Sequence, residues 1–318
     1  MFFKHVNIVF CADRNVLQGL HVAAYSILDH INPDSGVTRI AILSDDLDDE
    51  DMRCLHNTLS ATKNEFTLVS HRVEASQFAK LPRLNGSVAT YYRLAAAHIL
   101  DVDRFLYLDV DTLCDLDVSL LFGFDMKASP AAMVPEAPLS ASVDRHVAHV
   151  LGNSHDAPYF NAGVILVNVE AWRREMITER AMEYLKNHPA RFWDQSALNV
   201  VLHGKVLPLD ERYNTIANMR KNWPLLTGTY GSNDRLVHFV DYPKPWGFLC
   251  EFLHPHNRLW QSVLRETELK DARSWNDSPS RVIPTTFRQY NQYIKTIKDS
   301  LLFSLYQHGF NYSVKGVA

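Results

Sequence analysis

Through its first 110 residues the chain alternates short apolar, β-branched runs with longer segments of helical periodicity, and few folds accommodate that pattern. A strand that is apolar throughout must be covered on both faces, and strands separated by helix-length segments pair in parallel, so the reading is a parallel α/β sheet. Val6 to Ala12 reads as the first strand and Val16 to Ile31 as the first helix. A strand at Arg39 to Leu43, an acidic helix from Asp48 to Ser60 and a strand at Phe66 to Ser70 follow. A helix around Tyr91 to Ile99 and a short buried strand at Phe105 to Leu108 complete this half.

Beyond it the pattern loosens. Phe160 to Val169 is a long β-branched run. After Asn168, Trp172, Met176, Ile177, Ala181, Tyr184 and Leu185 fall on one side of an expected amphipathic helix. Another helix starts near Asp194, and Lys205 to Leu209 and Leu236 to Val240 read as strands. Residues 271–286 are rich in Ser, Pro, Asp and Asn, as a linker is. Phe287, Tyr290, Ile294, Ile297, Leu301 and Leu305 then repeat at helical spacing. The expected division is a main domain over 1–270 and a linker with an amphipathic helical segment over 271–318.

With 318 residues and 47% hydrophobic content, the chain can bury the core of one large domain. Its net charge of −4 gives no overall attraction to a polyanion, which argues against nucleic acid as a partner. Cys11, Cys54, Cys114 and Cys250 form no C-x-x-C pair and read as reduced, structural thiols. The run after Phe3 is too short and too interrupted by Asn7 for a secretory signal, and no stretch reaches the ~18 apolar residues of a membrane span. The expected location is the cytoplasm.

Asp-x-Asp is a weak signal here, because the chain holds five such pairs: 46/48, 49/51, 101/103, 109/111 and 115/117. The carboxylates at 46–51 are explained by a helix start, where they meet the positive end of the dipole. Only Asp109 and Asp111 directly follow an apolar strand, Phe105-Leu106-Tyr107-Leu108. Ligands of open α/β sheets bind beyond the carboxyl ends of the strands, and paired carboxylates there call for a cation. Oxygen donors suit Mg²⁺ or Mn²⁺, which commonly bridge to substrate phosphates; the competing reading is a solvated turn. His238, in an apolar run, is a third candidate ligand that would favour Mn²⁺, or else a core histidine. Lys244 is a candidate phosphate contact or a surface lysine.

These residues, taken in order, resemble the retaining glycosyltransferases of family 8. The resemblance spans Asn7 to Trp246. Asn7 to Asn15 is similar to the family's first strand and uridine loop, and implies that Asp13 and Asn15 hold the base and ribose, with Ala12 among the donor-binding positions. Tyr92-Arg93 resembles the donor-site arginine segment. Tyr107-Leu108-Asp109-Val110-Asp111 resembles the metal motif, with Val110 also at the donor. Phe160-Asn161-Ala162-Gly163-Val164 is close to the family's F-N-[AS]-G-V, and Asp194-Gln195 matches the pair beside the transferred sugar. His238 to Trp246 resembles H-x-x-G-x-x-K-P-W, implying His238 as third metal ligand and Lys244 on the pyrophosphate. Three positions depart from the pattern: Asp241 stands for the usual glycine, Glu136 falls where an aspartate often contacts the sugar, and Val16 replaces an aromatic that stacks on uracil.

The resemblance implies a GT-A-type, Rossmann-like mixed α/β sheet flanked by helices, with a C-terminal helical extension. It implies transfer of a hexose, galactose or glucose, from a UDP-sugar to a glycan or glycolipid such as the lipopolysaccharide core, with Mn²⁺ or Mg²⁺ on Asp109, Asp111 and His238. Gln195, Asp194 and Asn161 would act at the sugar, and Arg93, Glu136 and Lys244 at the donor. The residues read alone are compatible with close backbone approach at Gly163 and hydrogen bonding from Asn161. Without the other motifs a glycine bulge in a buried strand with a turn asparagine is the first reading, and a helix cap that of Asp194. A sugar nucleotidyltransferase, a glycoside hydrolase and a non-catalytic nucleotide-sugar-binding protein are the competing classes. From Arg281 on, five Lys/Arg, one Asp and seven aromatics suggest peripheral contact with an anionic membrane through 281–318, against a terminal helix packed on the domain.

Overall fold

Strand β1 (His5–Cys11) enters the interior at once, with Ile8, Val9 and Phe10 all within 1% of complete burial. In the computed structural model, residues 5–84, 86–142, 144–152, 157–188, 190–217, 234–240, 244–247 and 256–272, and positions 291, 294 and 298, are described. After β1, a 3-10 turn over Arg14–Val16 leads into α1 (Leu17–His30), so the first helix starts one residue later than its periodicity suggests. Then come β2 (Val37–Ser44), α2 (Asp49–Ser60), β3 (Phe66–Arg72), α3 (Tyr92–Ile99) and β4 (Arg104–Leu108). The acidic start of α2 is a capping box, with Asp48 accepting from Glu50 and Asp51 backbone N–H and Asp51 accepting from Asp48 N–H.

Next come β5 (Thr112–Cys114), β6 (Ala131–Pro138), α4 (Arg145–Val150), β7 (Pro158–Asn168), α5 (Val169–Arg174), α6 (Ile177–Asn187) and α7 (Trp193–Val201). Short strands β8 (Val206–Pro208), β9 (Thr215–Ile216) and β10 (Leu236–His238) and helix α8 (Asn257–Leu264) close the described chain. The main sheet has the order β3-β2-β1-β4-β7-β6-β8. β1 to β4 are parallel, β7 runs antiparallel to β4 and β6, and β8 is parallel to β6, which makes the expected α/β sheet a mixed one. A second sheet, β5-β10-β9, stands beside it.

The period of two along each strand divides the interior. Phe105 and Tyr107 of β4, with Ile165 and Val167 of β7, face one core beneath α3, α5, α6 and α7. Leu106, Leu108, Val164 and Leu166 face the other, beneath α1 and α2. Burying such a side chain contributes about 1.5–3 kcal/mol, so a charge at Leu106 would break the sheet at its centre.

The helix expected after Asn168 is two helices. Asn168 caps α5 through Ala171 N–H at 3.2 Å, but Met176 takes a left-handed conformation (φ 50°) and is 56% exposed. The turn rotates α6 so that Ile177, Ala181, Tyr184 and Leu185 return to the core that Trp172 fills. Trp172 Nε1 donates to Thr178 Oγ1 at 3.0 Å across the break. Likewise the run Leu236 to Val240 is strand only to His238. Phe239 N–H still follows the β5 register by donating to Asp111 O at 2.9 Å, and the chain turns back at Val240, whose N–H donates to His238 O at 3.1 Å. The linker and amphipathic helix expected beyond 272 lie outside the described residues except at Asn291, Ile294 and Lys298, which are helical, and Asp241 lies outside them as well.

Candidate functional site

The carboxyl ends of β1 and β4 and the amino end of antiparallel β7 meet at one edge of the sheet. Leu108 is the last β4 residue paired with β7, opposite Val164, and Asp109 N–H continues the ladder by donating to Gly163 O at 2.8 Å. This places the Asp109-Val110-Asp111 turn beside Asn161 to Gly163. Thr112 Oγ1 donates to Asp109 O at 2.8 Å and fixes the turn. From below, α1 packs so tightly that a Cβ on Gly19 would lie 2.7 Å from Val110 O, so only glycine fits there.

His238 arrives on β10, which pairs with β5 through His238 opposite Thr112. One ligand atom from each of Asp109, Asp111 and His238 lies within 4.8 Å of the others. His238 Nε2 is 3.1 Å from Asp111 Oδ1 and 3.7 Å from Asp109 Oδ2. Asp111 Oδ1 is buried without an aligned hydrogen-bond donor, and His238 is 3% exposed.

The imidazole tautomer follows from a chain of amides. Gly163 N–H donates to Asn161 Oδ1 at 2.9 Å, so that oxygen is an acceptor. Asn214 must then turn its Nδ2 to Asn161 Oδ1, at 3.0 Å, and its Oδ1 to His238 Nδ1, at 3.0 Å. His238 Nδ1 therefore carries the proton and Nε2 presents its lone pair to the two carboxylates. Two carboxylates, an orphaned carboxylate oxygen and an imidazole lone pair fit a divalent cation such as Mn²⁺. Gly163 has a different use from the one its sequence suggests. A Cβ there would lie 2.1 Å from His238 Cε1 and 2.6 Å from Nδ1, so the glycine admits the histidine ring.

Three carboxylates and two cations surround this edge. Arg93 is 8% exposed and stands behind the aspartates, with Nη1 3.1 Å from Asp109 Oδ1 and Nε 2.6 Å from Asp194 Oδ2. Its Nη1 also donates to Ala162 O at 2.5 Å, its Nη2 to Thr90 Oγ1 at 3.1 Å, and its guanidinium lies 4.5 Å over the Tyr107 ring. Arg93, expected at the donor, links two acids within the site. Tyr107 Oη donates to Asp109 Oδ1 at 2.5 Å, and burial pushes that phenol well up. Asp194 is no helix cap: it lies inside α7 and accepts from Thr90 Oγ1 at 2.7 Å. Burial raises its carboxyl above the usual range, against the pull of Arg93.

Lys244 Nζ is 2.6 Å from Asp111 Oδ2 and also donates to Phe239 O. Burial pushes the Asp111 carboxyl up, yet the Lys244 ammonium outweighs it and holds the group well below the carboxylate range. Gln195 Oε1 accepts from Ala162 N–H at 3.0 Å and its Nε2 donates to Tyr159 Oη at 3.3 Å. Glu136 is exposed on β6, where the β6–β7 register slips between Pro135 and Ala137, near enough to Tyr159 to help raise its phenol.

The residues expected at the nucleotide lie one strand away. Asp13 Oδ1 accepts from Asn15 N–H at 2.9 Å, and both line a polar cleft of about 290 Å³ with Asp45, Asp46, Arg83 and Tyr92. Ala12 is fully buried and its N–H donates to Leu43 O, while Val16 packs partly against the core. The cleft and the Asp109–His238 cluster are separate but adjoin the same sheet edge. A second cavity of about 280 Å³, lined by Phe160, Leu198 and Leu202 among others, lies behind β7 and away from the charged residues. Thr90, Tyr159 and Asn214 were not legible as site residues, because nothing in their own sequence neighbourhood distinguishes them. Among the described residues Cys11, Cys54 and Cys114 are free, and no helix is long and apolar enough to cross a membrane.

Comparison with known proteins bears directly on this geometry. The sequence model of Glycosyl transferase family 8 matches residues 7–250. The chain is 27% identical over 289 residues to a lipopolysaccharide 1,2-glucosyltransferase of Escherichia coli K12, covering 86% of this chain and 80% of that protein. It is 29% identical over 251 residues to a lipopolysaccharide 1,3-galactosyltransferase of Salmonella typhimurium, covering 76% and 72%. Its fold matches that of the galactosyltransferase LgtC, solved with donor and acceptor sugar analogues, at a TM-score of 0.68 and 22% identity over 88% of this chain and all of that one.

Proposed function

Because the chain belongs to glycosyl transferase family 8, we propose that it is a metal-dependent hexosyltransferase that moves galactose or glucose from a UDP-sugar to a glycan or glycolipid acceptor. The lipopolysaccharide core is the acceptor class favoured by its likeness to lipopolysaccharide glucosyl- and galactosyltransferases. The observation that carries the reading is the convergence of Asp109, Asp111 and the Nε2 lone pair of His238 within 4.8 Å at the sheet edge. These three residues would hold Mn²⁺ or Mg²⁺. Such an ion, when bound, offsets charge on the departing diphosphate.

The protein's own groups divide the remaining work. Asp13 and Asn15 line the cleft suited to the base and ribose, and Lys244 supplies a point charge for phosphate. Gln195 is a neutral amide already held at both ends, which suits it to positioning the sugar and not to attacking it. Asp194 is committed to Arg93 and Thr90, so its part is to fix α7 against the metal-site loop. The acceptor hydroxyl would then attack from the face the diphosphate leaves, passing its proton to a phosphate oxygen, with retention at the anomeric carbon. The transition state would resemble an oxocarbenium ion.

A panel of UDP-sugars assayed for UDP release with Mn²⁺, with and without glycan acceptors, tests this. Release of pyrophosphate would point to a nucleotidyltransferase. Binding of UDP without turnover of any donor would leave a nucleotide-sugar-binding protein. Product NMR from an α-linked donor should show an α linkage, and a β product overturns retention. Membrane contact through 281–318 is tested by liposome co-sedimentation of the full chain against one ending near Ser280, and equal binding removes it.

A further inference from the structure

Gln195 is the end of a hydrogen-bonded chain that runs away from the site. Its Nε2 donates to Tyr159 Oη at 3.3 Å, and Tyr159 Oη donates to Asp144 Oδ2 at 3.2 Å. Ser196 Oγ donates to the same Asp144 oxygen at 2.5 Å, and Val147 N–H reaches Asp144 Oδ1 at 3.4 Å. Asp144 is 1% exposed and Tyr159 2% exposed. One buried carboxylate thus ties together the start of α4, the start of β7 and the first turn of α7.

The polarity of the chain is determined. Asp144 faces donors on every described side and accepts from each. Tyr159 has one hydroxyl proton and directs it to Asp144, which leaves only lone pairs toward Gln195. Burial pushes the Tyr159 phenol well above its ordinary value, so the proton stays in place at assay pH. Gln195 must therefore turn its NH₂ to Tyr159, and Ala162 N–H independently requires its Oε1 at the other end. The two constraints agree, so the amide has one orientation. The directions of its second N–H and second lone pair are then set. Asn199 supports the frame by accepting from Phe160 N–H at 2.8 Å and donating to Phe160 O at 2.9 Å.

We propose that Asp144 and Tyr159 are positioning residues that fix the amide of Gln195 for sugar transfer. The proposal rests on the reading of the chain as a sugar transferase with Gln195 at the sugar. Neither residue touches the metal ligands, and both act through Gln195.

Tyr159→Phe keeps the buried ring and removes the hydroxyl. Tyr184→Phe is the matched control, since Tyr184 is 7% exposed and its hydroxyl has no hydrogen-bond partner among the described residues. Tyr159→Phe should lower kcat about tenfold, the worth of one oriented hydrogen bond. Its donor KM should stay within about twofold of wild type, while its unfolding midpoint should fall below the control's, because it removes a bonded hydroxyl and the control an unbonded one. Asp144→Asn retains a cap for α4 but lets an N–H face Tyr159, reversing the phenol's role, and should also lower kcat. In a Gln195→Ala background Tyr159→Phe should cost nothing more, because its route to the sugar is gone. An unchanged kcat in Tyr159→Phe, or the same loss with and without Gln195, overturns the positioning role. Failure of wild type to release UDP from any UDP-hexose overturns the transferase reading, which is a separate result.

Discussion

Replacing Gly163 with alanine tests the metal site at its tightest contact. The added Cβ would lie 2.1 Å from His238 Cε1 and 2.6 Å from Nδ1, against an ordinary carbon contact of about 3.5 Å. The ring must retreat by about 1.4 Å, or β7 must buckle. β7 resists, because Gly163 O accepts from Asp109 N–H at 2.8 Å, Gly163 N–H donates to Asn161 at 2.9 Å, and fully buried Val164 follows. The ring therefore moves, and its 3.0 Å contact with Asn214 is lost. Loss of such a supporting bond lowers metal affinity about 10–100-fold. Overpacking costs a further ~1–3 kcal/mol of stability. Mn²⁺ titration followed by the EPR signal of the free ion measures the first effect, and urea unfolding the second. Mn²⁺ affinity within about twofold of wild type would refute the assignment of His238 as a ligand braced by Gly163. The double variant Gly163→Ala/His238→Ala should regain stability relative to Gly163→Ala alone, since the clash is removed with the ring.

Exhaustive chelation should abolish UDP release and added Mn²⁺ restore it; Asp111→Asn should lose most Mn²⁺ affinity and activity while far-UV circular dichroism stays native, because the residue lies on a turn at the strand end. Arg93→Met leaves Asp109 and Asp194 buried without their shared cation and should destabilise by about 3–5 kcal/mol in urea, whereas Asp194→Asn removes one of two charges competing for that cation and should cost less. His21 is buried in α1 against Thr58 Oγ1, and burial lowers its pKa from 6.5 to about 4. The unfolded chain then binds the extra proton first, so this residue's contribution is complete above pH 6.5 and declines as pH falls toward 4, by roughly 3 kcal/mol in all. Unfolding of wild type and His21→Gln at stepped pH should show the shallower pH dependence in the variant, and parallel curves would refute the attribution.

The elements legible in the sequence were those whose signal is local. β1, β2 and β4 are largely apolar because helices cover both faces of the sheet, and their bounds agree with the expected runs to within a few residues. Asp109 and Asp111 were separable from the other Asp-x-Asp pairs because only they follow such a strand directly. The break at Met176 was not legible, since an amphipathic period continues across it and no glycine or proline marks the left-handed residue. Asn214 was invisible for another reason: its importance comes from His238 and Asn161, which are distant in sequence and meet only when β10 and β7 are assembled. Gly163 shows a third case. Its sequence context points to a close approach, and the body the fold brings against it is the His238 ring.

The two cations of the site differ in a way that their side-chain chemistry explains. Arg93 serves two carboxylates, two carbonyls and a hydroxyl at once, which a planar fork of donors can do and a single ammonium cannot. Buried at 8% exposure over the Tyr107 ring, it cannot lose its charge and has little room to move. It therefore sets the positions of Asp109 and Asp194 relative to one another, and so of the metal loop relative to α7. Lys244 bears on Asp111 through one compact charge on a flexible stem. A point charge of that kind can exchange one anion for another without rebuilding its surroundings. The rigid cation thus belongs to the frame of the site, and the flexible one is the cation whose chemistry suits the phosphate contact proposed for it.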